Sequence, residues 1–156
     1  MPKAFVVALQ SWVTGQPRAW LSPESDRTRH AAAACSVLVV DDDRVVRRIT
    51  ARMLRTEGYQ VLEAESGVEA LRTLESDPGI RLVVTDIVMP EMDGLALADR
   101  ALAQVPHLCV VLMTGHAPEL TSRLDLRDSP LPVVLKPFTA EQLLGKVRDM
   151  LAGGRH

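Results

Sequence analysis

Cysteine is scarce in this chain. There are two in 156 residues, Cys35 just ahead of the first apolar run and Cys109 within a later one. Neither fits a disulfide framework or a metal pair, and a reducing cytoplasm suits the chain best. An excess of charge of one sign is lacking too. The net charge of −2 offers nothing obvious to nucleic acid or to an anionic membrane. No apolar run approaches the roughly 18 residues of a membrane span. The apolar stretch near the start is soon interrupted by Gln10 and Ser11, which makes a poor signal peptide. Ala32-Ala33-Ala34-Cys35 is faintly similar to a lipoprotein cleavage site, but Asp26, Arg27, Arg29 and His30 stand where its apolar core belongs. Internal repeats and low-complexity segments are absent from the sequence as well.

What is present divides unevenly. Residues 1–34 carry Lys3, Arg18, Arg27 and Arg29 against Glu24 and Asp26, and hold Phe5, Trp12 and Trp20. Gly15, Pro17, Ser22 and Pro23 break any long helix there. The segment reads as an N-terminal extension with at most one short helix over residues 4–13. It is expected to be dispensable for folding, because so short a piece cannot bury a core of its own. The rival expectation is that Phe5, Val6, Val7, Leu9, Trp12 and Val13 dock as a helix. Residues 35–153 read as the folded domain and 154–156 as a tail.

From residue 36 strands and helices alternate. Ser36–Val40 is a β-branched apolar run, read as a buried strand. Val45, Val46, Ile49, Met53 and Leu54 recur at helical spacing, and Gly58 ends that helix. Residues 59–64 form a second strand. Ser66 and Glu69 make a capping box for a helix with Val68, Leu71 and Leu74 on its apolar face. Residues 80–85 are a third strand, 95–103 a helix after a turn at Asp93-Gly94, 108–113 a fourth strand and 118–126 a weaker helix. Residues 132–135 are a short fifth strand. Thr139 with Gln142 caps a last helix bearing Leu143, Leu144, Val147, Met150 and Leu151. Strand then helix, five times over, predicts an α/β fold. It is a doubly wound, five-stranded parallel sheet in a three-layer α/β/α stack, with the flavodoxin-like order 2-1-3-4-5.

In such a sheet the functional cleft lies beyond the carboxyl ends of the strands. Asp41, Asp42 and Asp43 follow the first strand and Asp86 the third. Thr114 and Gly115 follow the fourth, and Lys136 and Pro137 the fifth. The second strand offers nothing comparable. Clustered carboxylates need a cation, and oxygen ligands suit a hard ion such as Mg2+. Lys136 and the Thr114 hydroxyl can hold the oxygens of a transferring phosphoryl group, while one carboxylate acts as nucleophile. Gly115 leaves room for that group. The chemistry is phosphoryl transfer by positioning and electrostatics.

Four segments carry a resemblance to a known family. They are Val-Leu-Val-Val-Asp-Asp-Asp (37–43), Val-Val-Thr-Asp-Ile-Val-Met-Pro-Glu-Met-Asp-Gly (83–94), Leu-Met-Thr-Gly (112–115) and Leu-Lys-Pro-Phe (135–138). Residues 36–152 resemble the receiver domain of two-component response regulators, similar to receivers at the ends of hybrid histidine kinases. The resemblance implies that Asp86 accepts a phosphoryl group from a phosphohistidine on a sensor histidine kinase or a histidine phosphotransfer protein. It implies Mg2+ bound by Asp42, Asp86 and the Val88 backbone carbonyl, with Asp41 acting through water. Thr114 and Lys136 would contact the phosphoryl oxygens, and the Lys136–Pro137 bond would be cis. His116, two past Thr114, sits where the family tunes dephosphorylation, or is a plain loop residue. Val133 departs from the pattern, standing where the family carries Tyr or Phe. Output is expected to be a protein contact, as no DNA-binding or enzymatic domain follows residue 152 here.

Blander readings stand beside these. Asp43 reads as a helix cap before a metal ligand. Arg44, Arg47, Arg48, Arg52 and Arg55 read as a solvated helix face, or as a surface for a phosphodonor. His30 and His107 have no metal-ligand spacing. One rival function is a receiver-like interaction module that works without phosphorylation. Another is a haloacid-dehalogenase-type phosphatase with Asp41 as nucleophile, which leaves the whole motif around Asp86 unexplained.

Overall fold

The structure is a computed structural model, described over residues 35–115 and 131–153. The elements run β1 (Ser36–Val40), α1 (Arg44–Thr56), β2 (Gln60–Ala64), α2 (Gly67–Ser76), β3 (Ile80–Asp86), α3 (Gly94–Gln104), β4 (Cys109–Thr114), β5 (Val133–Leu135) and α4 (Ala140–Gly153). All strand pairings are parallel, and the order is β2-β1-β3-β4-β5. The expected fold and strand order are therefore present. The expected helices over residues 4–13 and 118–126 lie outside the described residues.

Strand burial explains the continuous apolar runs. In β1 every residue from Val37 to Val40 is fully buried, because helices cover both faces of the sheet. Side chains alternate between those faces. Leu38, Val40, Val83, Val110 and Leu112 meet Ala70 and Leu74 of α2 and Leu97, Ala98 and Ala101 of α3. Val37, Val39, Leu82, Val84, Val111 and Met113 meet Ala51 and Leu54 of α1 and Leu143, Leu144 and Val147 of α4. Each large side chain so buried contributes about 1.5–3 kcal/mol, which locks the strands in register and so fixes the height of every residue at their ends.

Local chemistry sets the helix ends. The Asp43 side chain accepts from Val45 N at 2.8 Å and Val46 N at 3.3 Å, so Asp43 is the N-cap of α1. Gly58, at φ 104°, ends α1 in the left-handed region. Its N–H donates to Arg55 O at 3.0 Å, and Tyr59 N–H donates to Leu54 O at 3.2 Å. Thr139 and Gln142 form a reciprocal capping box before α4. The box at α2 differs from expectation. Ser66 accepts from Glu69 N–H, but the Glu69 carboxylate reaches Glu65 N–H, one residue further out.

The apolar face of α1 is a second difference. Val45 is 65% and Ile49 51% exposed, while Thr50, Ala51 and Leu54 are buried. In α2 Val68 is likewise exposed, while Leu74 is buried as expected and Ala70 is buried beside it. Among the described residues, no helix is long and apolar enough to cross a membrane.

Candidate functional site

Register brings the strand ends together. Val40 lies beside Thr85, so Asp41 follows β1 next to Asp86, the last residue of β3. Asp86 is in register with Met113, one before Thr114. Thr114 pairs with Leu135, and Lys136 N–H donates to Thr114 O at 2.7 Å. Carboxylate oxygens of Asp41, Asp42 and Asp86 lie within 4.8 Å of one another. Asp41 is fully buried, Asp86 and Thr114 are buried, and Asp42 is exposed. The cluster therefore opens to solvent on the Asp42 side.

Lys136 joins these carboxylates. Its Nζ is 2.9 Å from Asp41 Oδ2 and 3.3 Å from Asp86 Oδ1. The remaining Asp41 oxygen, Oδ1, accepts from Asp43 N–H at 2.9 Å. Burial pushes the Asp86 carboxyl above the ordinary carboxylate range; Lys136 pulls it down, and Asp41 and Asp42 push it up. Burial disfavours the Lys136 ammonium, yet the hydrogen bond and charge of Asp41, with the charge of Asp86, hold it above the usual lysine range. Lys136 is thus a charged ammonium at neutral pH. The Lys136–Pro137 peptide is cis.

The segment after Asp86 is shaped by close packing. Gly94 N–H donates to Ile87 O at 2.8 Å, and a Cβ at Gly94 would run into the Asp86 carbonyl. Asp93 caps α3 through Leu95 N and Ala96 N. The buried Thr85 hydroxyl donates to Asp86 O at 3.0 Å. Val88 is 51% exposed, two residues past Asp86. Gly115 is exposed, and a Cβ there would meet nothing within 4 Å among the described residues. His116 lies outside the described residues. Val133 is half-buried against the α2–α3 side of the core.

All-oxygen donors on one rim fit a hard divalent cation such as Mg2+. Asp43 lies outside that cluster and puts its Oδ1 on the α1 cap instead. Beside the cluster, Val46, Ile49, Thr50 and Met53 of α1 and Lys136, Pro137 and Phe138 line an apolar groove of about 320 Å³.

Sequence reasoning missed one participant and misread another. Arg47 was grouped with the solvated arginines, yet its side chain is 13% exposed and its Nη1 donates to the Asp41 carbonyl at 2.6 Å. Glu63, from the strand thought to bring nothing, sits 3.5 Å from Arg47 Nε. Helical side chains lean toward the N-terminus of their helix, which was the available signal for Arg47. Glu63 had none.

Known proteins are similar to this chain in sequence and in fold. Over 127 residues the chain is 35% identical to the sensor kinase CckA of Brucella abortus (strain 2308), covering 81% of this chain but 13% of that protein. It is also 35% identical to the response regulator receiver protein CpdR of the same organism, over 74% of this chain and 95% of CpdR. The chain thus spans a small part of some curated relatives and nearly all of others. A crystal structure of a CheY-like receiver domain protein from Methanospirillum hungatei JF-1 superposes with a TM-score of 0.69 at 29% identity, covering 77% of this chain and 95% of that one. Residues 37–148 match the response regulator receiver domain. With its five-stranded parallel sheet, its acidic rim and that match over most of its length, the chain belongs to the response regulator receiver domain family of two-component systems.

Proposed function

We propose that this receiver takes a phosphoryl group from a phosphohistidine onto Asp86 and signals through protein contacts. The observation that carries the reading is the position of Asp86, within 4.8 Å of the Asp41 and Asp42 oxygens and 3.3 Å from the Lys136 ammonium. An Asp86 oxygen forms the new O–P bond, and the N–P bond of the donor breaks with its electron pair left on the imidazole. Asp42, Asp86 and the Val88 carbonyl would hold Mg2+ directly, and Asp41 through water. When bound, Mg2+ supplies the positive charge that lets a second anion approach the carboxylates. Lys136 and the Thr114 hydroxyl hold phosphoryl oxygens, and Gly115 keeps their space clear.

Asp41 as a phosphatase nucleophile is opposed by its setting. It is fully buried and both carboxylate oxygens are engaged. The donor is a sensor histidine kinase or a histidine phosphotransfer protein. The groove along α1 beside Lys136, flanked by exposed Val45, Arg44, Arg48 and Arg52, suits a partner helix with an apolar stripe and acidic edges. The phosphoryl group carries about −1.5 to −2 charge where the carboxylate carried −1, and the added negative charge and bulk bias the loops and helix faces a downstream protein contacts. Residues 35–153 make up the receiver in this reading, with 1–34 an extension and 154–156 a tail.

Acetyl phosphate should label the chain only when Mg2+ is present. Asp86→Asn should abolish the added mass in intact-mass spectra, and Asp42→Ala should greatly weaken Mg2+ binding. Equal phosphate incorporation by Asp86→Asn would overturn the assignment.

A further inference from the structure

Asp41 is held at each of its polar groups. Its N–H donates to Ala64 O of β2 at 3.2 Å. Its carboxylate accepts from Asp43 N–H and from Lys136. Its carbonyl accepts from Arg47 Nη1 at 2.6 Å. The first three partners belong to the sheet edge, the turn itself and the cluster. Arg47 is different, because it reaches back from the first turn of α1 on a long side chain that needs its own support to stay in place.

That support comes from β2. Glu63 lies in register with Val39, two residues before Asp41. One Glu63 oxygen is 3.5 Å from Arg47 Nε, and the other is 3.1 Å from Arg55 Nη1. Arg55 in turn donates through Nη2 to Val61 O at 3.0 Å. The side chains of Arg47 and Glu63 are only 13% and 23% exposed, so this pair is better shielded from solvent than an ordinary surface ion pair. The planar guanidinium can satisfy Asp41 O and Glu63 together because its donors point in two fixed directions.

We propose that Arg47, oriented by Glu63, is a positioning residue for the Asp41-Asp42 turn, and that it sets the affinity of the carboxylate cluster for its divalent cation. The inference rests on the Mg2+ reading given above. Two simpler accounts predict something else. If the pair merely ties α1 to β2, its loss lowers thermal stability and leaves cation affinity alone. If Arg47 acts only through its charge, a guanidinium beside a cation site repels the cation, and removing it tightens binding. Glu63 and Arg47 together add almost no net charge, so placement of the turn is what the pair supplies.

The experiment is calorimetric titration of the full chain with Mg2+, alongside thermal melts without metal. Arg47→Gln should weaken Mg2+ binding about 10-fold, the lower end for partners that orient metal ligands. Arg47→Lys keeps the charge but not the two-directional fork, and should recover part of the loss. Glu63→Gln should fall between wild type and Arg47→Gln. Mg2+ affinity in Arg47→Gln equal to or tighter than wild type overturns the proposal, whatever happens to the melting temperature. If Arg47→Gln does not fold, Arg47→Lys decides the matter: it holds the charge constant, so Mg2+ affinity equal to or tighter than wild type overturns the proposal. Wild type that binds no Mg2+ defeats the proposed function and this inference with it, whereas tight binding by wild type and variants alike defeats the inference alone.

Discussion

Replacing the proposed phosphoacceptor should make the metal-free protein more stable. Asp86 is 8% exposed, and burial is the first cause of its raised carboxyl pKa. The forces from its neighbours oppose one another. Lys136, at 3.3 Å, attracts the carboxylate by about 5 kcal/mol if the effective dielectric constant is about 20. Asp41, within 4.8 Å, repels it by about 3.5 kcal/mol on the same scale. Asp42 adds a smaller repulsion that water screens. Attraction and repulsion nearly cancel, so burial of the anion decides the sign. Asn keeps the shape without the charge, and Lys136 retains Asp41 as its partner. A residual of about 1–2 kcal/mol, the scale for a buried polar group short of solvent, should appear as a gain in Asp86→Asn. For a domain of this size that is a melting-temperature rise of about 4–8 °C.

The pH dependence has a definite sign. An acid whose folded pKa is raised binds its proton more tightly in the folded state. Its cost is therefore fully present above the folded pKa, shrinks as pH falls through it, and is gone below the unfolded pKa. The gap between variant and wild type should narrow on acidification. Mg2+ should also close it, because an ion at ten times its Kd stabilises a competent site by about 1.4 kcal/mol and the variant loses a ligand. Melts followed by circular dichroism, with chelator and with Mg2+, at neutral and mildly acid pH, test all three points. A variant no more stable than wild type in chelator at neutral pH, or a gap that widens with acid, would refute the reasoning.

Two further outcomes concern the segment after Asp86. Val88 is exposed beside the acceptor and cannot orient an attacking water, so Val88→Asn should hydrolyse its acyl phosphate faster than wild type at the same Mg2+ and pH; coincident or slower decay counts against this. Gly94→Ala should cost about 1–3 kcal/mol, since its Cβ would collide with the Asp86 carbonyl, and should slow labelling of Asp86. The contrast is Gly145→Ala in α4, where an added Cβ meets nothing within 4 Å among the described residues, and chemical denaturation should show it stabilised by about 0.5–1 kcal/mol.

Much of this protein was legible in its sequence, for local reasons. A strand buried on both faces is mostly apolar, so β1, β3 and β4 announce themselves, and the polar residue at or just past the carboxyl end of each marks the rim. Caps are equally local. Asp43 and Thr139 satisfy N–H groups two or three residues away, and Gly58 supplies the positive φ that ends α1. These signals place Asp41, Asp86, Thr114 and Lys136 at strand ends without any knowledge of tertiary contacts.

Which helix face is covered, and who reaches across to whom, was decided by the tertiary structure. Val45 and Ile49 fit a helical apolar period, but the sheet covers the side of α1 that bears Thr50, Ala51 and Leu54. Ile49 lines the groove next to Lys136 instead. Arg47 looks like its neighbouring arginines in the sequence, yet β2 lies beside β1 with Glu63 opposite Val39, and that register gives Arg47 a carboxylate on one side and the Asp41 carbonyl on the other. Periodicity reports that a face is apolar; only the packing of sheet against helix determines which side chains the protein covers, and only strand register brings Glu63, sixteen residues from Arg47 in the chain, within reach of its guanidinium.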